Sequence, residues 1–136
     1  MEFEGPFDSA SPAQDPENAS LADWRTVNAV DNDGIIRGRR YAVSAMRTKG
    51  AGSLSNISSR SGLVGSPRDA AYAASKPAIR NHTKSVALHC AGQGLAIRCS
   101  AFRPAAIITP MWETMRGLCL ERAGREAAMV ADTAMR

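Results

Sequence analysis

Ser53-Leu54-Ser55-Asn56-Ile57-Ser58, a loop rich in Ser, Gly and Pro over residues 59–69, a long run from Ala70 to Ala91, then Leu95-Ala96-Ile97-Arg98-Cys99-Ser100-Ala101-Phe102: this stretch decides the fold. The first run is short and set between small, turn-prone residues, which predicts a strand. From Ala70 the spacing changes. Tyr72, Lys76, Ile79, Thr83, Val86 and Cys90 recur at steps of three and four, one face of a helix. Asp69 stands where a helix cap belongs, and Gln93-Gly94 where a helix stops. Leu95 to Phe102 predicts a second strand. Strand, helix and strand in this order form a parallel pair joined by a crossover helix, so the class is α/β.

Upstream, Ser20 and Asp23 mark a helix start. Trp24, Val27, Asp31, Ile35, Gly38, Ala42 and Ala45 come next at helical spacing, and Lys49-Gly50 marks the end. Asp31 is out of place on that stripe, because a buried carboxylate must be paired or neutralised. Asn32-Asp33-Gly34 offers a turn that would split the helix. Residues 1–19, with three prolines and several acids, predict a flexible lead-in; residues 20–136 form the one domain that 136 residues allow. Helical pieces are expected after Pro110.

Composition excludes more than it suggests. Hydrophobic residues make up 44% but aromatics only 5%, so aliphatic side chains must fill the core. A net charge of +4 does not argue for nucleic acid. The cluster Arg37, Arg39, Arg40 predicts a solvated helix face. Three cysteines without a Cys-x-x-Cys spacing suggest neither a disulfide framework nor a zinc site, and His82 with His89 lack a further ligand nearby. No run is apolar and long enough for a membrane span, and the acidic start is unlike a secretory signal. The expected compartment is the cytoplasm.

Chemistry is written in Ser59, Tyr72 and Lys76. Tyr72 and Lys76 are four apart, one helical turn, and so share a face. A free phenol is a poor base at neutral pH; a nearby ammonium favours phenolate, which makes such a pair a general acid/base. Ser59 ends a strand, where a hydroxyl can face the crevice used by ligands of open α/β sheets. Taken alone, a bare Tyr-x-x-x-Lys is weak and common by chance, and an aromatic packed under a snorkelling lysine explains it better.

The surrounding string shifts that balance. Gly52 to Ser59, then Gly62, Tyr72-Ala73-Ala74-Ser75-Lys76, Ile97-Arg98, Pro104 and Thr109-Pro110-Met111 resemble the short-chain dehydrogenase/reductase family. Trp24 with Gly34, and Arg40 to Met46, extend the likeness, which spans about residues 20–115. The resemblance implies the second half of a Rossmann-like doubly wound parallel sheet, shortened at both ends. It implies hydride transfer between NAD or NADP and a secondary alcohol or ketone. Tyr72 resembles the acid/base, Lys76 the residue that favours the tyrosinate and holds the nicotinamide ribose, and Ser59 the donor to the substrate oxygen. Asp31 falls at the family's fourth catalytic position, normally Asn. Pro104, Ala105, Ile107 and Thr109 fall in the stretch that contacts the nicotinamide carboxamide.

Departures accompany the likeness. No Gly-x-x-x-Gly-x-Gly occurs, and the first four strands have no counterpart. Ala105 replaces a usual glycine and Ser100 a usual Asn. Pro77 lies directly after Lys76; a proline inside a helix costs about 3 kcal/mol, and a kink there would part the lysine from the tyrosine. The family's long helices, here 21–48 and 70–91, often pack against a second subunit, so a homo-oligomer is expected. The alternative function is a non-catalytic interaction or assembly subunit, or an inactive remnant, of the same ancestry.

Overall fold

A computed structural model describes residues 15–66, 69–105 and 107. Along the chain run α1 (Leu21–Asn28), a π-helical turn (Ala29–Asp33), α2 (Gly34–Lys49), β1 (Ala51–Ile57), a 3-10 turn (Arg60–Gly62), α3 (Ala70–Gly92) and β2 (Ala96–Phe102). β1 and β2 are parallel neighbours, in register from Ala51 against Ala96 to Ile57 against Phe102. Parallel strands need a long return connection, and α3 supplies it across one face. That face carries Gly52, Leu54 and Asn56 beside Ile97, Cys99 and Ala101, all buried or half-buried. The alternate residues Ser53, Ser55, Ile57, Arg98, Ser100 and Phe102 are exposed. Gly50 (φ 77°) and Gly94 (φ 66°) hand a helix over to a strand in the left-handed conformation that only glycine adopts freely.

Ser20 caps α1 as the sequence predicts: its hydroxyl accepts from the Asp23 amide at 3.1 Å and donates to the Asp23 carboxylate at 2.7 Å. The Asn32-Asp33-Gly34 turn does not form. Gly34 is helical, and its N–H donates to the Ala29 carbonyl, five residues back. This extra residue in the turn shifts the phase of α2. Past it the buried side runs through Ile35, Arg39, Val43 and Met46, while Gly38 and Ala45 of the predicted stripe are exposed, as is Trp24 before it.

Pro77 lies inside α3 without ending it. A proline disfavours helical backbone at the residue before it, and here that residue, Lys76, is held from outside. The Ser58 hydroxyl donates to the Lys76 carbonyl at 2.8 Å. Gly62 approaches so closely that a Cβ there would stand 2.9 Å from Ser58 Oγ and 3.2 Å from the Lys76 carbonyl. Asp69 offers no side-chain cap to α3; its carboxylate is taken by the Ser66 hydroxyl at 2.8 Å. Of the lead-in, Asp15 to Asn18 form a turn around the Asp15 carboxylate, which accepts from the Glu17 and Asn18 amides. Residues 1–14 and the helical pieces expected after Pro110 lie outside the described residues. No described helix is long and apolar enough to cross a membrane.

Buried apolar side chains are Val27, Ala71, Ile79, Cys90 and Ile97; buried polar ones are Arg39, Asn56, Ser58, Ser75, Lys76 and Thr83. Charged groups are almost never fully buried unless paired, so Lys76 and Arg39 need an explanation.

Candidate active site

Lys76 finds its partner in Asp31. Its ammonium donates to Asp31 Oδ1 at 2.8 Å, with the two side chains 11% and 18% exposed. The π turn brings this carboxylate against α3, so the misfit residue of the predicted stripe is a paired one. The same ammonium stands 4.7 Å from the centroid of the Tyr72 ring, within the range of a cation–π contact. Pro77 therefore does not part the lysine from the tyrosine. Asp31, Tyr72 and Lys76, foreseen as site residues, meet at one place.

Ser59 lies just past β1 in extended backbone (φ −155°, ψ 165°), and its hydroxyl accepts from the Ser61 amide at 3.2 Å. Two backbone bonds tie this exit to the exit of β2: Ser58 N–H to the Phe102 carbonyl at 2.8 Å, and Arg60 N–H to the Pro104 carbonyl at 3.1 Å. Ser59 and Pro104 thus share the carboxyl ends of the two parallel strands, the ligand-binding end of an open α/β sheet. The bond from Ser58 to the Lys76 carbonyl puts Ser59 one residue from the contact with α3. Pro104 is half-buried, and Ala105 and Ile107 are exposed. Thr109 lies outside the described residues.

Arg39 corrects the sequence reading. Arg37 and Arg40 are exposed as expected, but Arg39 is 3% exposed. Its Nε donates to Asn56 Oδ1 at 3.1 Å, and Nη2 to Thr83 Oγ1 at 2.9 Å and to the Ile79 carbonyl at 3.2 Å. Asn56 Nδ2 in turn donates to Thr83 Oγ1 at 3.2 Å and faces Cys99 Sγ at 3.4 Å. Nη1 is buried without a partner. Burial pushes the Arg39 guanidinium below its ordinary pKa. Burial also raises the Cys99 thiol, against a smaller opposing pull from Arg39. The phase shift at the π turn turns Arg39 inward, and a uniform helical spacing gives no sign of it. Ser75 was missed too, although it lies beside Lys76 and touches Asp31. Among the described residues no three His, Cys, Asp or Glu side chains converge as metal ligands would.

Comparison with known proteins agrees with the fold. The model of the short chain dehydrogenase family matches residues 9–117. The chain is 38% identical over 102 residues to the NADP-dependent (R)-specific alcohol dehydrogenase of Lentilactobacillus kefiri, covering 74% of this chain and 40% of that protein. It is 38% identical over 95 residues to the 3-alpha-(or 20-beta)-hydroxysteroid dehydrogenase of Mycobacterium tuberculosis, covering 70% and 36%. The structure superposes with a TM-score of 0.78 and 29% identity on a proposed NAD(P)-dependent gluconate 5-dehydrogenase from Beutenbergia cavernae, solved with NADP at low occupancy; the match covers 88% of this chain and 46% of that one. The chain thus spans less than half the length of the relatives it matches.

Proposed function

The chain belongs to the short chain dehydrogenase family, and from that premise we propose that it carries the Ser-Tyr-Lys catalytic set of an NAD(P)-dependent oxidoreductase for a secondary alcohol or ketone. The observation that carries this reading is the Lys76 ammonium 4.7 Å from the Tyr72 ring centroid, on a helix tied to the residue before Ser59 by the Ser58–Lys76 hydrogen bond. An ammonium, a phenol and a serine hydroxyl suit the ribose hydroxyls and the reacting oxygen at the nicotinamide end of a dinucleotide. Asp31 accepts a hydrogen bond from one of the ammonium's three N–H groups. The pyrophosphate end finds no glycine-rich cradle among the described residues.

A nicotinamide dinucleotide, when bound, supplies or accepts the hydride. The chain's own residues handle the proton and the orientation. Ser59 donates to the substrate oxygen. Tyr72 Oη gives that oxygen a proton in reduction and takes it back in oxidation. Lys76, beside the Tyr72 ring, holds the ribose hydroxyls, and Asp31 holds Lys76. Pro104, Ala105, Ile107 and Thr109 would contact the nicotinamide carboxamide, as the family likeness implies. The relatives named above, an alcohol and a hydroxysteroid dehydrogenase, support the substrate class. Self-association through α1–α2 and α3 completes the reading. It is supported by a groove of about 400 Å³ between α2 and α3, where Ile36, Val43 and Val86 lie among Arg40, His82 and His89.

A second reading, a non-catalytic assembly subunit, draws on one feature: no Gly-x-x-x-Gly-x-Gly occurs in the 136 residues. Calorimetric titration with NADH and NADPH separates the two. Saturable binding, weakened by Lys76→Ala, is the expected result. No heat up to millimolar nucleotide would overturn the enzymatic reading for this chain.

A further inference from the structure

Ser75 lies between Tyr72 and Lys76 with no role of its own assigned, yet it is 0% exposed and sits among the other site residues. Its Oγ lies 2.5 Å from Asp31 Oδ2 and 2.9 Å from the Tyr72 carbonyl oxygen. A hydroxyl has one proton to give, and the ionised carboxylate is the stronger acceptor as well as the nearer one. The two oxygens of Asp31 are thus divided: Oδ2 accepts from Ser75, Oδ1 from the Lys76 ammonium at 2.8 Å. A carboxylate held at one oxygen only can rotate about its χ2 and carry the ammonium with it. Held at both, it has a single orientation. These bonds run from the π turn across to α3, so the arrangement spans two elements and cannot relax by a local helix adjustment.

We propose that Ser75 is a positioning residue of this site: its hydroxyl fixes the Asp31 carboxylate, which fixes the Lys76 ammonium over the Tyr72 ring. What the fixed lysine is for rests on the dehydrogenase reading above; the fixing itself is a property of these side chains. Ser75 then acts on ribose binding through Asp31 and Lys76, without touching nucleotide or substrate.

The test watches the ammonium directly. The chain has three lysines, Lys49, Lys76 and Lys84. In lysine labelled with carbon-13 and nitrogen-15, an ammonium resonance survives only where an acceptor slows its exchange with water, and Lys76→Met assigns it. The intact chain should show a protected Lys76 signal. Ser75→Ala should speed its exchange about tenfold, the scale of one lost charge-assisted bond. Ser75→Thr, which keeps the donor, should restore protection. Ser75→Cys, near in size but a weak donor, is the second loss variant should Ser75→Ala fail to fold. NADPH affinity should fall in the loss variants and return with Ser75→Thr. Unchanged Lys76 exchange in a folded loss variant overturns the proposal, even if its melting temperature drops, because Ser75 is then only a clamp between elements. Faster exchange in a chain that binds neither nucleotide keeps the positioning role and removes the dehydrogenase reading instead.

Discussion

Two cations are buried, Lys76 on α3 and Arg39 on α2, and among the described residues only Lys76 meets an anion. Lys76 pairs with Asp31 and keeps a sliver of exposure, 11% of its side chain. Arg39, reaching in from α2, meets an amide oxygen, a hydroxyl and a backbone carbonyl, and leaves Nη1 with nothing. The first arrangement holds a balanced charge that keeps a small share of both side chains at the surface. The second holds an unbalanced charge inside and ties α2 to β1 and α3. Burial of polar groups in this chain thus has two meanings. At the candidate site it pairs the π turn with α3; farther along α3 it joins elements whose apolar core is small.

Removing the paired cation puts this contrast under the greatest strain. Lys76→Met leaves the Asp31 carboxylate under α3 with only the Ser75 hydroxyl, and the expected loss of stability is about 3 kcal/mol. Asp31→Leu combined with Lys76→Met removes both charges and should recover most of that loss, because the penalty belongs to the stranded charge. Urea unfolding of the two single variants and the double variant measures the coupling. A loss below about 0.5 kcal/mol in Lys76→Met would mean that the pair behaves as an exposed one, and the contrast with Arg39 would disappear.

How far each region was legible depends on how local its causes are. The strand at 51–57, the α3 helix and the Tyr72–Lys76 spacing are written in adjacent residues, so turn chemistry and periodicity recover them. Asp31 was legible as a carboxylate on an apolar stripe, which called for a partner. Ser75 was not legible as part of the site, because a small polar residue in a helix acquires meaning only from Asp31, 44 positions away. Arg39 failed for two reasons. Its acceptors, Asn56 and Thr83, are 17 and 44 positions distant. The π turn before it moves the buried face by one residue, and a uniform 3.6 period carried through Gly34 points Gly38 inward instead.

The unpaired cation gives the next largest effect. Asn56→Ala takes from Arg39 Nε its acceptor among the described residues and leaves a buried charged donor empty, for an expected loss of about 2 kcal/mol. Arg39→Met in the same background should return part of that loss, since the group left unsatisfied is then gone. If Asn56→Ala is harmless, Arg39 has found water, and its burial carries no structural load. Thermal unfolding of the variants, read beside the Lys76 series, sets the two cations on one scale.

The smallest effect tests whether the Arg39 charge is felt by its neighbours. Burial first, and repulsion by Arg39 second, hold the His82 imidazole below its ordinary value of 6.5. The folded chain then binds the proton less readily than the unfolded chain. The corresponding stability is complete above the ordinary imidazole pKa and is lost as pH falls through the lowered folded value. The chain has two histidines, His82 and His89, so imidazole carbon–proton spectra can track His82 alone once His89→Gln assigns the pair. Arg39→Met should raise the His82 midpoint only in part, because burial is the larger cause. His82→Gln should flatten the fall in stability between about pH 7 and 5. A His82 midpoint indifferent to Arg39→Met would mean that the guanidinium charge is screened where it lies, and the two buried cations would differ in their partners but not in their fields.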